Sequence, residues 1–330
     1  MNPFTYSRPT DAQTAISGVA ANPKAKFLGG GTNLVDLMKM GVERPGQLVD
    51  INRLHLTRVE ELPNNGGVRI GALVRNSDLA EHDLIKLRYP VLSEALLSGA
   101  SPQLRNLATT GGNLLQRTRC YYFYDPAFPM CNKREPGSGC GALEGYNRIH
   151  AILGQSQQCI ATHPSDMCVA MAALDAVVRV QGPQHERAIP FEQFHRLPGE
   201  TPNVETNLQP NELIMAVDLP AIPFAQRSHY LKVRDRASYA FALVSVAAAL
   251  EMEAGKIKSA RLALGGVAHK PWRARKAEQA LTGKTANEQT FRGAAEAELA
   301  GAKGYTYNSF KIELAKRAIT QALSTVAKMG

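Results

Sequence analysis

The sequence predicts a chain that mixes helices and strands in more than one domain, and three observations carry that reading. The chain has 330 residues, 44% of them hydrophobic; it is too long for one ordinary core and apolar enough to fill two or three. Helix and strand signals alternate through the first hundred residues. The composition then changes twice: at a stretch rich in cysteine, glycine and proline over 117–160, and at the proline punctuation of Pro198, Pro202, Pro210, Pro220 and Pro223. The second break sets a boundary near residue 222, dividing the chain into 1–222 and 223–330.

In order, Asp11 to Ala21 has helical character. Lys26-Phe27-Leu28 reads as a short strand broken by Gly29-Gly30-Gly31. Thr32 is the expected N-cap of a helix from Asn33 to Met40. Gln47 to Ile51 and Gly67 to Ala72 read as strands, and Asn76-Ser77 opens another helix. Pro90 to Ser98 is helical and stops at Gly99. The segment 117–160 has little periodicity, and a loop this long inside a folded protein is functional or disordered. Its aromatics, Tyr121 to Tyr124, argue for order. Pro164 to Leu174 follows as a helix with Ser165 and Asp166 near its start, then Ala176 to Val180 as a strand. The last region holds a strand at Tyr230 to Val233, an apolar run ending at Leu250, a strand at Ser259 to Leu264, and helices to the end.

The totals exclude several classes. The net charge is +9, from 38 basic and 29 acidic residues, but the basic residues are scattered and no nucleic-acid-binding signature occurs. No run of about 18 apolar residues is present, so no membrane span is expected; the longest, Ala240 to Leu250, reads as a buried strand or helix. The N-terminus lacks a basic region followed by an apolar core, so no secretory signal is expected. Five cysteines, an odd number, in a chain without an export signal point to bound metal or buried thiols rather than to disulfides.

Two glycine turns carry the first chemical signal. Gly29-Gly30-Gly31-Thr32-Asn33, between a strand and a helix, lets backbone approach a bulky anion and offers it unpaired N–H groups. It is neither Gly-x-Gly-x-x-Gly nor a Walker loop, and alone it is also what a tight turn looks like. Thr109-Thr110-Gly111-Gly112-Asn113, after Gln103-Leu104-Arg105-Asn106, is a second such turn. A long dinucleotide needs several backbone contact points, so the pair says more than either.

Four cysteines carry the second. Cys120, Cys131, Cys140 and Cys159 fall within one stretch of about 40 residues, spaced x10, x8 and x18. The spacing matches neither ferredoxin pattern and lacks the close Cys-x2-Cys pairs of common zinc sites, so it leaves zinc and iron–sulfur both open. Cys168, on a helix beside Val169 and Met171, reads as a small core residue. The histidines form no ligand set, and no catalytic residue is identified.

Phe27 to Leu34, with Gln103 to Asn106 running into Thr109 to Asn113, resembles the two flavin signatures of the medium subunits of the xanthine dehydrogenase and carbon monoxide dehydrogenase family. The resemblance continues through His163-Pro164-Ser165-Asp166-Met167, Lys232 to Ala240 and Leu264 to Ala268, in order along nearly the whole chain. It implies an α+β fold: a vanillyl-alcohol-oxidase-type FAD-binding domain over 1–222, then a smaller C-terminal domain of the carbon monoxide dehydrogenase flavoprotein type. Within the family the likeness is to the FAD subunits of periplasmic molybdenum-dependent aldehyde oxidoreductases.

The resemblance also implies roles. Lys26, Phe27, Leu28, Gly29, Gly30, Gly31, Thr32, Asn33 and Leu34 would wrap the FAD pyrophosphate. Ala108, Thr109, Thr110, Gly112 and Asn113 would hold it from the other side. Asp166 would bind a hydroxyl of the sugar portion, and Lys232 would lie near the flavin ring. By themselves, Asp166 reads as a helix N-terminal carboxylate and Lys232 as a solvated strand lysine. Most of the family lacks the four-cysteine insert; the aldehyde oxidoreductase FAD subunits and a benzoyl-CoA-type reductase share it, implying a [4Fe–4S] cluster on the four thiolates. The expected partners are a molybdopterin-containing large subunit, a [2Fe–2S] small subunit and an external electron acceptor. The other readings are a stand-alone flavin oxidoreductase and a zinc-stabilised binding module. The expected location is the periplasm, by co-export with a signal-bearing partner, or the cytoplasm.

Overall fold

The computed structural model describes residues 1–64 and 66–329. Three sheets form the frame. A three-stranded parallel sheet has Gln47–Asp50 at its centre, flanked by Thr5–Ser7 and Ala25–Leu28. The helix Ala12–Ala20 makes the crossover between its outer strands, its start capped by the Asp11 carboxylate, which accepts from the Thr14 N–H at 2.8 Å. An antiparallel sheet follows the order Val59–Glu61, Val68–Gly71, Leu213–Leu219, Val177–Gln181, Glu186–Pro190. Its central strand is supplied by the proline-punctuated segment and carries Asp218, which accepts from Arg69 and Arg179 on the two neighbouring strands, each at 2.7 Å.

The third sheet, Trp272–Arg273, Lys256–Gly265, Val244–Glu253, Ser228–Val233, is antiparallel. It resolves the apolar run before Leu250. Val244 to Leu250 is a strand buried on both faces. Val244, Val246, Ala248 and Leu250 enter a core with the helices Glu288–Leu299 and Phe310–Ala327. Ala247 points the other way, into a core shared with the helix Asp166–Ala173. The period of two in side-chain direction thus serves two cores, which is why the sequence shows no polar alternation there.

Pro90–Ser98 is a helix that ends before Gly99, as its sequence predicts. Thr32 does not cap the helix after the first glycine turn. That helix is Leu34–Lys39, and Asn33 stands at its N-cap without a side-chain capping bond. The Asn33 side chain is drawn elsewhere: its Oδ1 accepts from Arg117 N–H at 2.9 Å and its Nδ2 donates to Tyr124 Oη at 3.2 Å. Within 117–160 the one helix among the described residues is Tyr121–Tyr124. No helix of the described residues is long and apolar enough to cross a membrane.

Candidate functional site

The two glycine turns meet. Gly30 lies so close to the second turn that a Cβ placed there would stand 2.0 Å from Leu107 O and 2.8 Å from Leu107 C. Gly31 follows with φ +73°, a backbone shape that suits glycine. Every residue from Lys26 to Leu34 lines one large cavity, and Thr109, Gly112 and Asn113 line it too. Ala108 and Thr110 do not line it. Thr110 is fully buried, and its hydroxyl donates to Val74 O at 3.1 Å, so it anchors the turn from behind. The Thr109 hydroxyl accepts from Gly112 N–H at 3.2 Å, capping the short helix Thr110–Leu114.

Asp166 and Lys232 reach the same cavity from separate elements and bind each other. Lys232 Nζ donates to Asp166 Oδ2 at 2.8 Å and to Ser98 O at 3.0 Å, while Tyr230 Oη donates to Asp166 Oδ1 at 2.7 Å. The side chains are 8% and 4% exposed. Lys232 is therefore not the solvated lysine its strand position suggests, and Asp166 does more than face a helix dipole. Asp166→Asn would leave the Lys232 ammonium buried without its counter-charge, an expected loss of about 3–5 kcal/mol. Denaturant unfolding of the variant beside the parent checks this.

The fold also gathers histidines that sequence spacing leaves apart. His163 and His195 both line the cavity, their rings 4.4 Å apart and close to Cys168. Burial pushes His195 down to about 4 and His163 well below its ordinary value, so both rings are neutral at pH 7. His163 Nδ1 accepts from Ser165 N–H at 3.3 Å, and His195 Nε2 bonds Leu114 O at 2.8 Å. That leaves His163 Nε2 and His195 Nδ1, both buried, without partners among the described residues.

Beside the cavity lies the four-cysteine site. Cys120, Cys131, Cys140 and Cys159 line one small pocket and form no disulfides. Cys131 and Cys140 face each other across an antiparallel bridge, and Ser156 and Cys159 close a tight turn. Burial pushes the Cys120 thiol up to about 12 and Cys159 to about 11. Backbone N–H groups oppose that rise at Cys120 (Phe123, Tyr122), at Cys140 (Ala142, Ile160, Leu143) and at Cys159 (Ala161). Backbone N–H groups directed at cysteine sulfur favour the thiolate form that a metal ligand needs. Cys168 is outside this group, wholly buried in the core of its helix, as its sequence context suggests.

A line of alternating charges joins the two sites. Lys26 pairs with Glu43 at 3.0 Å, Glu43 with Arg117, Arg117 with Glu205 at 3.1 Å, and Glu205 with Lys133 at 2.6 Å. Lys133 Nζ also meets His269 Nε2 at 2.6 Å and donates to Pro202 O at 2.9 Å. Lys133 is 2% exposed and lines both the cysteine pocket and the large cavity.

The chain has known relatives. The family described as the FAD binding domain in molybdopterin dehydrogenase matches residues 2–222, and the CO dehydrogenase flavoprotein C-terminal domain matches residues 229–325. The chain belongs to the FAD-binding medium subunits of the xanthine dehydrogenase and carbon monoxide dehydrogenase family. It is 53% identical to the aldehyde oxidoreductase FAD-binding subunit PaoB of Escherichia coli (strain K12), over 98% of each chain. It is 28% identical to the glyceraldehyde dehydrogenase medium chain of Sulfolobus acidocaldarius, over 86% of this chain and 83% of that one. Among solved structures, reconstituted CO dehydrogenase from Oligotropha carboxidovorans superposes with a TM-score of 0.77 at 23% identity, covering both chains fully. Quinoline 2-oxidoreductase from Pseudomonas putida 86 gives 0.77 at 23%, covering 99% of this chain and 98% of that one. These two likenesses establish the α+β fold.

For a medium subunit of this family, the residues fit FAD. The cavity runs between two turns whose closest approach a single Cβ would block, and the Lys26–Leu34 backbone follows its wall. Sequence reasoning missed Arg117, Lys133, Glu205 and His195. Lys133 and Arg117 carry one visible trace, cations inside or beside a cysteine-rich loop. Glu205 carries none.

Proposed function

We propose that the chain is the electron-transfer FAD and [4Fe–4S] subunit of a molybdenum-dependent aldehyde oxidoreductase complex. One observation carries the reading: a cavity framed by both flavin turns shares Lys133 with a pocket lined by four cysteines. In this complex a molybdopterin-containing large subunit oxidises the aldehyde with water, giving a carboxylate, protons and two electrons. A small subunit with [2Fe–2S] clusters relays the electrons to this chain, which delivers them to an external acceptor. When bound, FAD supplies a carrier that takes up two electrons and releases them singly or as a pair.

This chain's residues do the holding. Lys26 to Leu34, with Thr109, Gly112 and Asn113, cradle the dinucleotide. The buried Asp166–Lys232 pair places fixed charge in the cavity lining. The close relative named as an aldehyde oxidoreductase FAD-binding subunit supports the substrate class. The complex is proposed to act in the periplasm, exported folded with a signal-bearing partner.

Cysteine spacing in space favours a cluster over zinc. Thiolates around a single tetrahedral zinc, each at about 2.3 Å from the ion, lie roughly 3.8 Å apart. Among the described residues, no three of these four sulfurs lie within 4.8 Å of one another. A four-iron cluster holds its thiolates farther apart, because iron and inorganic sulfide lie between them. Anaerobically purified protein is expected to show a flavin spectrum over a broad brown absorption that dithionite bleaches, with four iron and four sulfide per flavin. Zinc in place of iron would reject the cluster; absence of flavin would reject the whole reading. Cys131→Ser is expected to lower iron content to half or less while Cys168→Ser retains it, counted by metal analysis of the two proteins prepared side by side.

A further inference from the structure

A buried imidazole stands against one of the four sulfurs. His150 Nε2 lies 3.1 Å from Cys120 Sγ, in a ring that is 1% exposed. With Cys120 a metal-bound thiolate, only one tautomer suits that contact. With the proton on Nε2, an N–H points at sulfur; with the proton on Nδ1, a nitrogen lone pair would face the sulfur's own lone pairs. Among the described residues His150 Nδ1 has no partner, so no acceptor there draws the proton to that side.

The ring is held by its backbone. His150 N–H donates to Asn147 O at 3.0 Å. His150 O accepts from Lys311 Nζ at 2.8 Å and from Asn308 Nδ2 at 3.2 Å. Lys311 is fully buried, and its ammonium spans His150 O and Gly266 O. Asn147 is fixed in turn: its Nδ2 donates to Ala142 O at 3.1 Å, and its Oδ1 accepts from Tyr307 N–H at 3.0 Å. Residues near the start of the helix Phe310–Ala327 thus lock the segment that aims His150 at Cys120. Elsewhere in the pocket, the sulfur of Cys159 accepts from the backbone Ala161 N–H at 3.4 Å.

We propose that His150 is a positioning residue that sets the reduction potential of the metal centre by donating Nε2–H to the Cys120 thiolate. The physical cause is charge. Reduction adds an electron that spreads onto the cysteine sulfurs, and a donor hydrogen bond to sulfur stabilises the reduced form more than the oxidised one, which raises the potential. The proposal rests on the reading that the four cysteines hold an iron–sulfur cluster.

The test uses the intact complex in three forms: the parent, His150→Phe, which keeps a ring and loses the donor, and His150→Gln, which keeps a donor. Iron, sulfide and flavin are counted first. The reduced-cluster signal is then titrated against potential by electron paramagnetic resonance. His150→Phe is expected to carry full iron and titrate at a more negative potential, and His150→Gln to recover part of the shift. An unchanged potential in an iron-replete His150→Phe overturns the proposal, as does an equal shift in both variants. If the variants lose iron, the parent decides. Labelled with ¹⁵N-histidine and reduced, it is expected to show a nitrogen coupling to the cluster spin, and absence of that coupling overturns the proposal. A parent protein without iron would instead sink the cluster itself, so the two failures are separable.

Discussion

Gly30→Ala is expected to abolish flavin binding and destabilise the protein. The added methyl would meet Leu107 O at 2.0 Å and Leu107 C at 2.8 Å, and Ala108 Cα at 3.1 Å. All three are backbone atoms of the opposing turn, so no side-chain rotation can make room. The turns must separate, and separation moves both walls of the cavity at once. Overpacking of this kind costs about 1–3 kcal/mol, at times more. Flavin counted per chain after gel filtration, with a thermal melt, measures both effects. Gly293→Ala is the contrast. Gly293 lies within the helix Glu288–Leu299, and its Cβ would meet nothing within 4 Å. The gain there is about 0.5–1 kcal/mol, with flavin unchanged. Full flavin in Gly30→Ala would show that the turns do not form the cofactor's walls.

Glu205→Gln is expected to destabilise the protein by removing the carboxylate that Lys133 and Arg117 share. Burial alone would push the Glu205 carboxyl up, but the charges of Lys133 and Arg117 outweigh it and hold it far below the ordinary carboxylate range. Neutralising it leaves two facing cations, Lys133 at 2% and Arg117 at 20% side-chain exposure, sharing a lost partner. Breaking a dry pair costs roughly 3–5 kcal/mol. Glu205 keeps 23% of its side chain open to the cavity, which brings the expected loss to about 2–3 kcal/mol. The pH dependence has a definite sign. The folded-state value lies below the unfolded one, so the stabilisation is complete above the ordinary carboxylate range and is lost as pH falls through and below it. Denaturant midpoints of parent and variant measured from pH 7 downward should therefore converge. Midpoints that stay equally far apart at low pH would contradict the assignment.

The parts of this protein legible in its sequence are those with local causes. The glycine turns, the helix that stops at Gly99 and the clustering of four cysteines each depend on residues a few positions apart or on composition. What sequence could not supply depends on distant partners. The Arg117–Glu205 contact joins residues 88 apart in sequence, and Lys133–His269 residues 136 apart. Neither leaves a periodic or spacing signal. Asn33 shows the same physics at short range: a residue suited to the helix start is taken by Arg117 and Tyr124, so the local capping rule loses to a tertiary one. Thr110 has the chemistry of a phosphate ligand, yet turns inward to Val74 O. His163 and His195 look unrelated until the fold sets their rings edge to face.

The Lys311 clamp on His150 spans 161 residues, and it imposes an order on biogenesis. A ribosome must extend the nascent chain at least that far past His150 before the carbonyl beneath the imidazole meets its ammonium. Assembly of the proposed cluster is therefore expected to be a late event, following emergence and docking of the C-terminal helix, and fragments that stop short of residue 311 are expected to carry no iron when their metal content is counted.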